Sequence, residues 1–261
     1  MFPTLQQWLA SQAFAAFLVF GRLGTALSVM PGFSEHYVPV RFRFFLAATM
    51  TIVVTPVVQG LLPALPRTVP GLLVLLAGEI GIGLFIGLAT RMTFNTLQTA
   101  GTIISMQSGL SAALAFNPTT AQESALTSAL LAAVSLVLVF VSDLHHLMLR
   151  AIVDSYSLFP PGQALPIGDF ADTMTRLLTT TFSLGLRIAA PFVVFGVIFF
   201  LGLGILARLM PQMQVFFVSQ PAQILLGLLI FAGTLVAGVS VFLGNFEDTL
   251  AIFIAPTLVN P

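Results

Sequence analysis

The sequence predicts an all-α, polytopic membrane protein built from kinked helical hairpins. Hydrophobic residues make up 57% of the 261 positions and charged residues only 7%, whereas a soluble domain carries about 25% charged residues. The mean hydropathy is +1.05. Apolar runs recur along the chain, and several reach the roughly 20 residues needed to span a bilayer. So few charges could not keep a soluble surface dispersed in water.

The composition also narrows the classes of function. Nine basic residues, all arginine, balance nine acidic ones, so no basic surface for nucleic acid is predicted. Without lysine there is no GK[ST] phosphate loop, and without cysteine there is neither a disulfide nor a thiolate metal site. No HExxH motif, nucleophile elbow or pair of intramembrane carboxylates occurs. We therefore expect no enzyme activity, no cofactor and no metal.

The first three apolar runs cover residues 5–30, 44–62 and 71–90. The start lacks the basic flank of a cleavable signal peptide, so the first run is predicted to remain as a spanning helix. Pro56 should kink the second run because proline removes a backbone donor. The third run is rich in glycine, which lets helix backbones approach closely in lipid. The predicted helix-packing residues are Gly78, Gly81, Gly83, Gly87, Gly101 and Ser105.

A polar, small-residue stretch at about residues 94–123 interrupts the apolar pattern. Its first half has a helical pattern, and Asn117-Pro118 should break the helix because the residue before proline is pushed out of the helical region. Polar or irregular backbone at membrane depth is tolerated only where protein buries it or a cavity hydrates it. We interpret the stretch as a re-entrant, gate-forming element of a conduit. A re-entrant or interfacial loop without a gating role is the alternative.

The C-terminal half is predicted to contain one further span and then a helical hairpin. The fifth run, 126–148, ends in a polar cluster of Asp143, His145 and His146. Adjacent histidines should lie on different helix faces, so we interpret them as a helix-end cluster, with a metal or proton role as the alternative. Asp172 is a candidate cap for the sixth run, 174–209. A tight turn with Arg208, Pro211 and Gln212 at its tip then leads into the seventh run, 215–243.

Three charges lie within apolar runs: Arg22, Glu79 and Arg187. Placing such a charge at a bilayer centre costs about 2.5–3.5 kcal/mol on insertion scales. We interpret them as buried charges that form ion pairs between helices or with a partner subunit. Proton or ion transport is the alternative, and Arg22 could instead extend to the interface.

Several motifs together resemble the FliR/SctT family of type III secretion export-gate subunits. The central segment AGTIISMQSGLSAALAFNP carries the family's signature, and GEIGIGLFIG precedes it. Ser155, Pro160 and the segments Ala189-Ala190-Pro191 and ARLMPQMQVFFVSQP continue the likeness. Arg22, Pro31 and VPVRFR match the N-terminal pattern. The resemblance covers nearly the whole chain, with departures at Gln214 and at Ser219-Gln220.

The resemblance implies a flagellar type III export-gate subunit in the bacterial inner membrane, within the flagellar basal body. Such a subunit resembles a FliP-like part, here residues 1–170, joined to a FliQ-like hairpin, here 171–261. It would join FliP and FliQ homologues in a helical hetero-oligomeric shell, with an FlhB homologue at the entrance and unfolded flagellar proteins as cargo. The implied plug residues are Met106, Gln107, Ser108, Gly109 and Leu110, with Phe116, Asn117 and Pro118 behind them.

Three other interpretations stay open at this point. An injectisome export subunit would belong to the same family. A secondary transporter or channel acting alone would use the broken central helix and Glu79 as a midplane site. A structural scaffold would present no residue to a channel.

Overall fold

The computed structural model describes residues 5–110 and 126–254. Over those ranges every regular element is helical, which confirms the all-α prediction. A 3₁₀ turn, Gln59–Leu61, follows the second helix. The helices are α1 Leu5–Val29, α2 Val40–Val58, α3 Val69–Phe94, α4 Thr96–Gln107, α5 Leu126–Val141, α6 Leu144–Leu158, α7 Ile167–Leu209 and α8 Val215–Ala251.

Five of these helical stretches are long and apolar enough to cross a membrane, which confirms the polytopic prediction for the part of the chain described. They are Trp8–Val29, Val40–Leu61, Val69–Gln107, Ile167–Leu209 and Val215–Ala251. The pair α5 and α6 adds a sixth if it is counted as one broken span.

The predicted fifth run is divided into α5 and α6, which are bent by 73° relative to each other. Asp143 lies at the bend with φ 57° and ψ 12°, in the left-handed region. A residue other than glycine seldom adopts this region, and aspartate is among the few that tolerate it. The hydrophobic pattern alone did not reveal this break, because apolar residues continue on both sides of it.

Two other boundaries differ from the predicted ones. Helix α7 begins at Ile167, directly after Pro166, so Asp172 lies inside the helix rather than at its start. Asp169 is the acidic residue of the first turn, where a negative charge favours the helix dipole. Helix α8 continues to Ala251 rather than ending at 243, because Gly244 and Asn245 are accommodated within it.

The chain forms two compact units. Unit one comprises Met1–Thr93, Phe140–Leu177 and Phe246–Pro261, and unit two comprises Phe94–Val139 and Leu178–Asn245. The predicted parts 1–170 and 171–261 are defined by likeness to two other proteins. Compact units do not test that division, so it stays a prediction.

An ion pair is buried in the core of unit one. Arg22 Nε donates to Glu79 Oε2 at 2.7 Å, and Arg22 Nη2 donates to Glu79 Oε1 at 3.0 Å. Both residues are fully buried, with 0% and 1% exposure. The fork of the guanidinium thus matches both carboxylate oxygens, the strongest geometry for such a pair. Arg22 therefore does not extend to the interface, and it joins α1 to α3.

The remaining donors of Arg22 reach α6 and the chain that follows it. Nη1 donates to Ser155 Oγ at 3.1 Å, and Nη2 donates to the Phe159 carbonyl at 2.9 Å. The guanidinium carbon lies 3.9 Å from the ring centroid of Tyr156, a distance typical of a cation–π contact. One arginine side chain thus connects three helices of unit one.

Two glycines of α3 allow α1 to approach beside this ion pair. A Cβ added to Gly83 would collide with Thr25 Oγ1 and the Arg22 carbonyl, and one added to Gly87 would lie 3.0 Å from the Ala26 carbonyl oxygen. Gly81 has only an ordinary contact, at 3.4 Å from Leu165. Within the described chain a Cβ on Gly78 would meet no atom within 4 Å. The close α1–α3 packing therefore depends on Gly83 and Gly87.

Replacing either member of the ion pair should destabilise the fold severely. Arg22→Gln or Glu79→Gln leaves a buried charge unpaired, so we expect a loss of about 3–5 kcal/mol in the free energy of unfolding. Denaturant unfolding of the purified chain in detergent measures it. Arg91→Gln is the control, because Arg91 and Glu35 form a partly exposed pair at 3.2 Å worth at most about 1 kcal/mol. Equal effects of Arg22→Gln and Arg91→Gln would contradict this role.

A methyl group at Gly83 should also be costly. Gly83→Ala forces the α1 backbone away from α3, which we expect to cost about 1–3 kcal/mol, as overpacking does elsewhere. Gly83→Leu should prevent formation of any stable complex that contains the chain. Gly78→Ala is the matched control on the same helix and should retain wild-type stability. Thermal unfolding of the two alanine variants side by side decides, and equal midpoints would argue against the close contact.

Candidate functional site

The described part of the candidate gate segment begins with α4, which belongs to unit two. Asn95 separates α3 from α4, with φ −71° and ψ −3°. Gly101 lies against the start of α5, where an added Cβ would be only 2.6 Å from Ser128 Cα. Thr102 and Ser128 share a hydrogen bond with 3.3 Å between their hydroxyl oxygens, and Ser128 Oγ donates to the Gln98 carbonyl at 3.1 Å. Small polar residues thus hold α4 against α5.

Helix α7 contacts α4 through glycines. A Cβ on Gly185 would lie 3.2 Å from the Thr96 carbonyl oxygen. One turn from the end of α4, a Cβ on Gly196 would collide with the amide oxygen of Gln107 and lie 3.1 Å from its Cδ. Glycine at 196 therefore leaves the space that the Gln107 side chain occupies.

The helix ends at Gln107 because the next residues turn out of it. The Ser108 amide still donates to the Ile104 carbonyl at 2.9 Å. Gly109 then adopts φ +76°, a left-handed conformation that closes many helices and that glycine adopts without strain. The predicted plug sequence Gln107-Ser108-Gly109 is thus a helix terminus followed by a sharp turn.

Helix α8 holds this terminus through Gln223. The Gln223 side-chain Nε2 donates to the Gln107 carbonyl at 2.9 Å, one of the carbonyls that a helix end leaves without an intrahelical partner. Gln223 is itself only 6% exposed. A Cβ on Gly109 would lie 3.0 Å from Gln223 Cδ, and a Cβ on Gly227 would lie 2.6 Å from Ser108 Cβ. The terminus therefore fits between glycine positions and one amide donor.

Met106 differs from its neighbours because 64% of its surface is exposed. It borders a cleft of about 240 Å³ whose other walls include Phe200, Phe216 and Phe217. Ser105 and Ser108 are buried, at 0% and 1% exposure. A flexible thioether is thus presented at the surface by a helix end that is otherwise fixed. Such an arrangement can close an opening and move when the single amide hydrogen bond is broken.

The other predicted site residues lie in different surroundings. Arg22 and Glu79 are the buried pair of unit one, whereas Arg187, which we expected to be buried, is exposed on α7. Its position within an apolar helix did not determine which face it occupies. The hairpin-tip residues Arg208, Pro211 and Gln212 are exposed around the turn between α7 and α8. Phe116, Asn117 and Pro118, and with them the predicted helix break, lie outside the described residues.

The polar cluster at the α5–α6 bend is more compact than we predicted. The rings of His145 and His146 have centroids 4.0 Å apart, so the expectation that they diverge is wrong. His146 Nδ1 lies 3.5 Å from Asp143 Oδ1, and potential ligand atoms of all three residues lie within 4.8 Å of one another. The left-handed Asp143 produces this convergence by directing the chain back over the first turn of α6. Asp143 and His146 are largely exposed, as expected of a polar cluster at a helix start.

Sequence reasoning missed Gln223, the residue that bonds to the predicted plug. The available signal was a glutamine two residues after Pro221 within a long apolar helix. The roles of Gly196 and Gly227 were also missed, because glycine in a membrane helix more often serves general packing.

Comparison with known proteins gives consistent results across the chain. The family described as "Bacterial export proteins, family 1" matches residues 13–249. The flagellar biosynthetic protein FliR of Caulobacter vibrioides is 38% identical over 94% of this chain and 97% of its own length. FliR of Bacillus subtilis is 30% identical over 81% of this chain and 82% of its own. The secretion system apparatus protein SsaT of Salmonella typhimurium is 30% identical over 59% and 60% of the two chains.

The family match covers most of the chain, including the Arg22–Glu79 pair, the end of α4 and both helices of the C-terminal hairpin. The predicted resemblance is thereby confirmed, and the chain belongs to the family of bacterial export proteins that includes flagellar biosynthetic protein FliR and SsaT.

Proposed function

We propose that this chain is a subunit of a type III protein export gate and that the end of α4 seals the closed channel. The observation that carries the proposal is the Gln223–Gln107 hydrogen bond at 2.9 Å, which ties the family's signature segment to the C-terminal hairpin. A seal must be held in one position at rest and must be able to leave it. One amide hydrogen bond and a set of glycine contacts meet both requirements.

The apolar surface of the hairpin supports an assembly in the membrane. Large side chains along α8 are more than half exposed in the single chain, among them Phe216, Phe217, Val218, Leu225, Leu229 and Val236. Exposed apolar surface of this extent is stable only against lipid or another protein. We propose that homologues of FliP and FliQ cover part of it in the inner membrane and that an FlhB homologue contacts the hairpin tip. The cargo is an unfolded flagellar protein.

In this mechanism the chain needs no catalytic residue. The seal blocks ions at rest, a polypeptide in transit displaces it, and other proteins supply the driving force. Relatives include both flagellar proteins and the secretion apparatus protein SsaT. We propose the flagellar role because the FliR of Caulobacter vibrioides aligns over 94% of this chain, compared with 59% for SsaT.

The proposal predicts the behaviour of the chain on its own. Reconstituted alone into liposomes it should move no solute, whereas co-expressed partners should allow an intact complex to be purified. A transporter acting alone would move solute down a gradient in a flux assay. Transport by the single chain would overturn the export-gate proposal.

Removing the seal should make cells leaky. Deletion of residues 107–109 removes the terminus that Gln223 holds, so ions should cross the membrane without cargo. We expect a higher resting ion influx, measured with a potential-sensitive dye in cells that express the complete export system. A deletion that complexes normally and leaves the membrane tight would argue against the seal.

Loss of the single hydrogen bond should have a milder effect in the same direction. Gln223→Ala leaves the Gln107 carbonyl without its donor, a loss typically worth about 0.5–1.5 kcal/mol, so the open fraction should rise several-fold. Gln220→Ala is the matched control, because Gln220 borders the same cleft one turn away. Leak measurements on both variants separate the two positions, and equal leak would show that Gln223 has no special role.

A further inference from the structure

A second cleft lies in unit one, where α1, α2 and α3 meet. Its volume is about 400 Å³, within the roughly 300–1,000 Å³ of small-ligand sites. Its walls are mainly apolar, with Phe17, Phe20, Phe44, Leu76 and Ile80 among them. Gly24 leaves the space on the α1 side, since an added Cβ would lie no closer than 3.6 Å to its neighbours. The cleft is therefore shaped for an apolar chain.

The two hydroxyl groups in the cleft already have partners. Thr25 Oγ1 donates to the Gly21 carbonyl at 2.7 Å, and Ser28 Oγ donates to the Gly24 carbonyl at 2.6 Å. Both bonds stay within α1, so neither hydroxyl has a proton left to donate to a ligand. Among the described lining residues the remaining polar side chain is Arg43.

Arg43 is a cation without a neutralising partner in the described chain. Its Nη2 donates to the Glu35 backbone carbonyl at 2.6 Å, which fixes the guanidinium but contributes no negative charge. Its Nε has no hydrogen-bond partner among the described residues, and no carboxylate there lies within ion-pair distance. An unneutralised guanidinium beside an apolar cleft attracts an anionic group, and phosphate suits its geometry.

The cleft also reaches the depth at which phospholipid headgroups lie. Arg41 and Arg43 alternate with exposed Phe42, Phe44 and Phe45 in the first turns of α2. Arginines interleaved with aromatic side chains at the end of a spanning helix mark the boundary between bilayer and water. Arg43 thus lies at the interfacial end of the cleft, and Phe17 lies towards the membrane interior.

We propose that this cleft binds an anionic phospholipid, with one acyl chain along α1 and α3 and the phosphate on Arg43. Basic pockets between spanning helices are known binding sites for anionic headgroups. A helix of another protein would also cover the apolar walls, but it would leave the guanidinium without a counter-charge unless it brought a carboxylate. The proposal is independent of the export function and requires only a membrane location.

The absence of cysteine from the chain makes a site-specific test direct. Val40, 75% exposed at the edge of the cleft, is changed to cysteine in the full chain and labelled with a small fluorophore. The labelled protein is placed in nanodiscs of phosphatidylcholine with small amounts of brominated phosphatidylglycerol or brominated phosphatidylcholine. Quenching by the brominated chain reports occupation of the cleft.

We expect stronger quenching by the anionic lipid, and Arg43→Gln should reduce this preference roughly five-fold, which corresponds to about 1 kcal/mol per arginine at the membrane surface. Arg41→Gln is the control, because Arg41 is exposed on the same helix and does not line the cleft. Gly24→Leu fills the cleft and should abolish quenching by both lipids, with thermal unfolding as a check that the variant is folded.

Three results would overturn the proposal. The first is equal quenching by the two lipids in the wild-type chain, and the second is an unchanged preference in Arg43→Gln. The third is a label shielded from both lipids when the chain is purified with its partner proteins, because protein would then occupy the cleft. Arg43→Gln changes only a half-exposed side chain, so its result stands even if Gly24→Leu fails to fold.

Discussion

The bidentate ion pair between Arg22 and Glu79 is the constraint on which unit one depends. Two fully buried charges in a membrane protein are tolerable only because each satisfies the other. The pair fixes the register of α1 against α3 to within a hydrogen-bond length, and this register brings the Arg22 carbonyl against Gly83. Ser155 and the Phe159 carbonyl then set the position of α6. A one-residue slip of any of these helices would leave a charge unpaired.

Unit two is held by a different kind of interaction. Its contacts to α4 are made by small residues and hydroxyls: Gly101 against Ser128, Gly185 against Thr96 and Gly227 against Ser108. No ion pair lies among the described residues of this unit. Glycine contacts give close packing without strong directional attraction, and Gln223 supplies the directional contact at the end of α4. The expected difference in rigidity suits a framework in unit one and a movable element in unit two.

Composition and run length were enough to predict the helical membrane fold, because spanning a bilayer imposes a length and a polarity that the sequence displays directly. The GxxxG pair of α3 and the hairpin turn after α7 were also predictable, since close helix packing and tight turns require particular residues. The bend at Asp143 was not, because it depends on one backbone conformation within an apolar run. The partner of Arg22 could not be selected either. Sequence shows which charges are buried candidates, whereas pairing between α1 and α3 is decided by tertiary packing, and Arg187 proved to lie on an exposed face.

The end of α8 has a consequence for the order in which the protein is made. Phe253 is buried against Phe85, with ring centroids 5.6 Å apart, and Phe85 also stacks on Phe170 at 3.9 Å. Unit one therefore draws its aromatic core from early, middle and final parts of the polypeptide. A ribosome adds about 5–20 residues per second, so the first helices wait in the bilayer until the last turn of α8 has emerged. During that interval Phe85 lacks its final neighbour, and the nascent chain depends on surrounding lipid or insertion factors to shield an unfinished core.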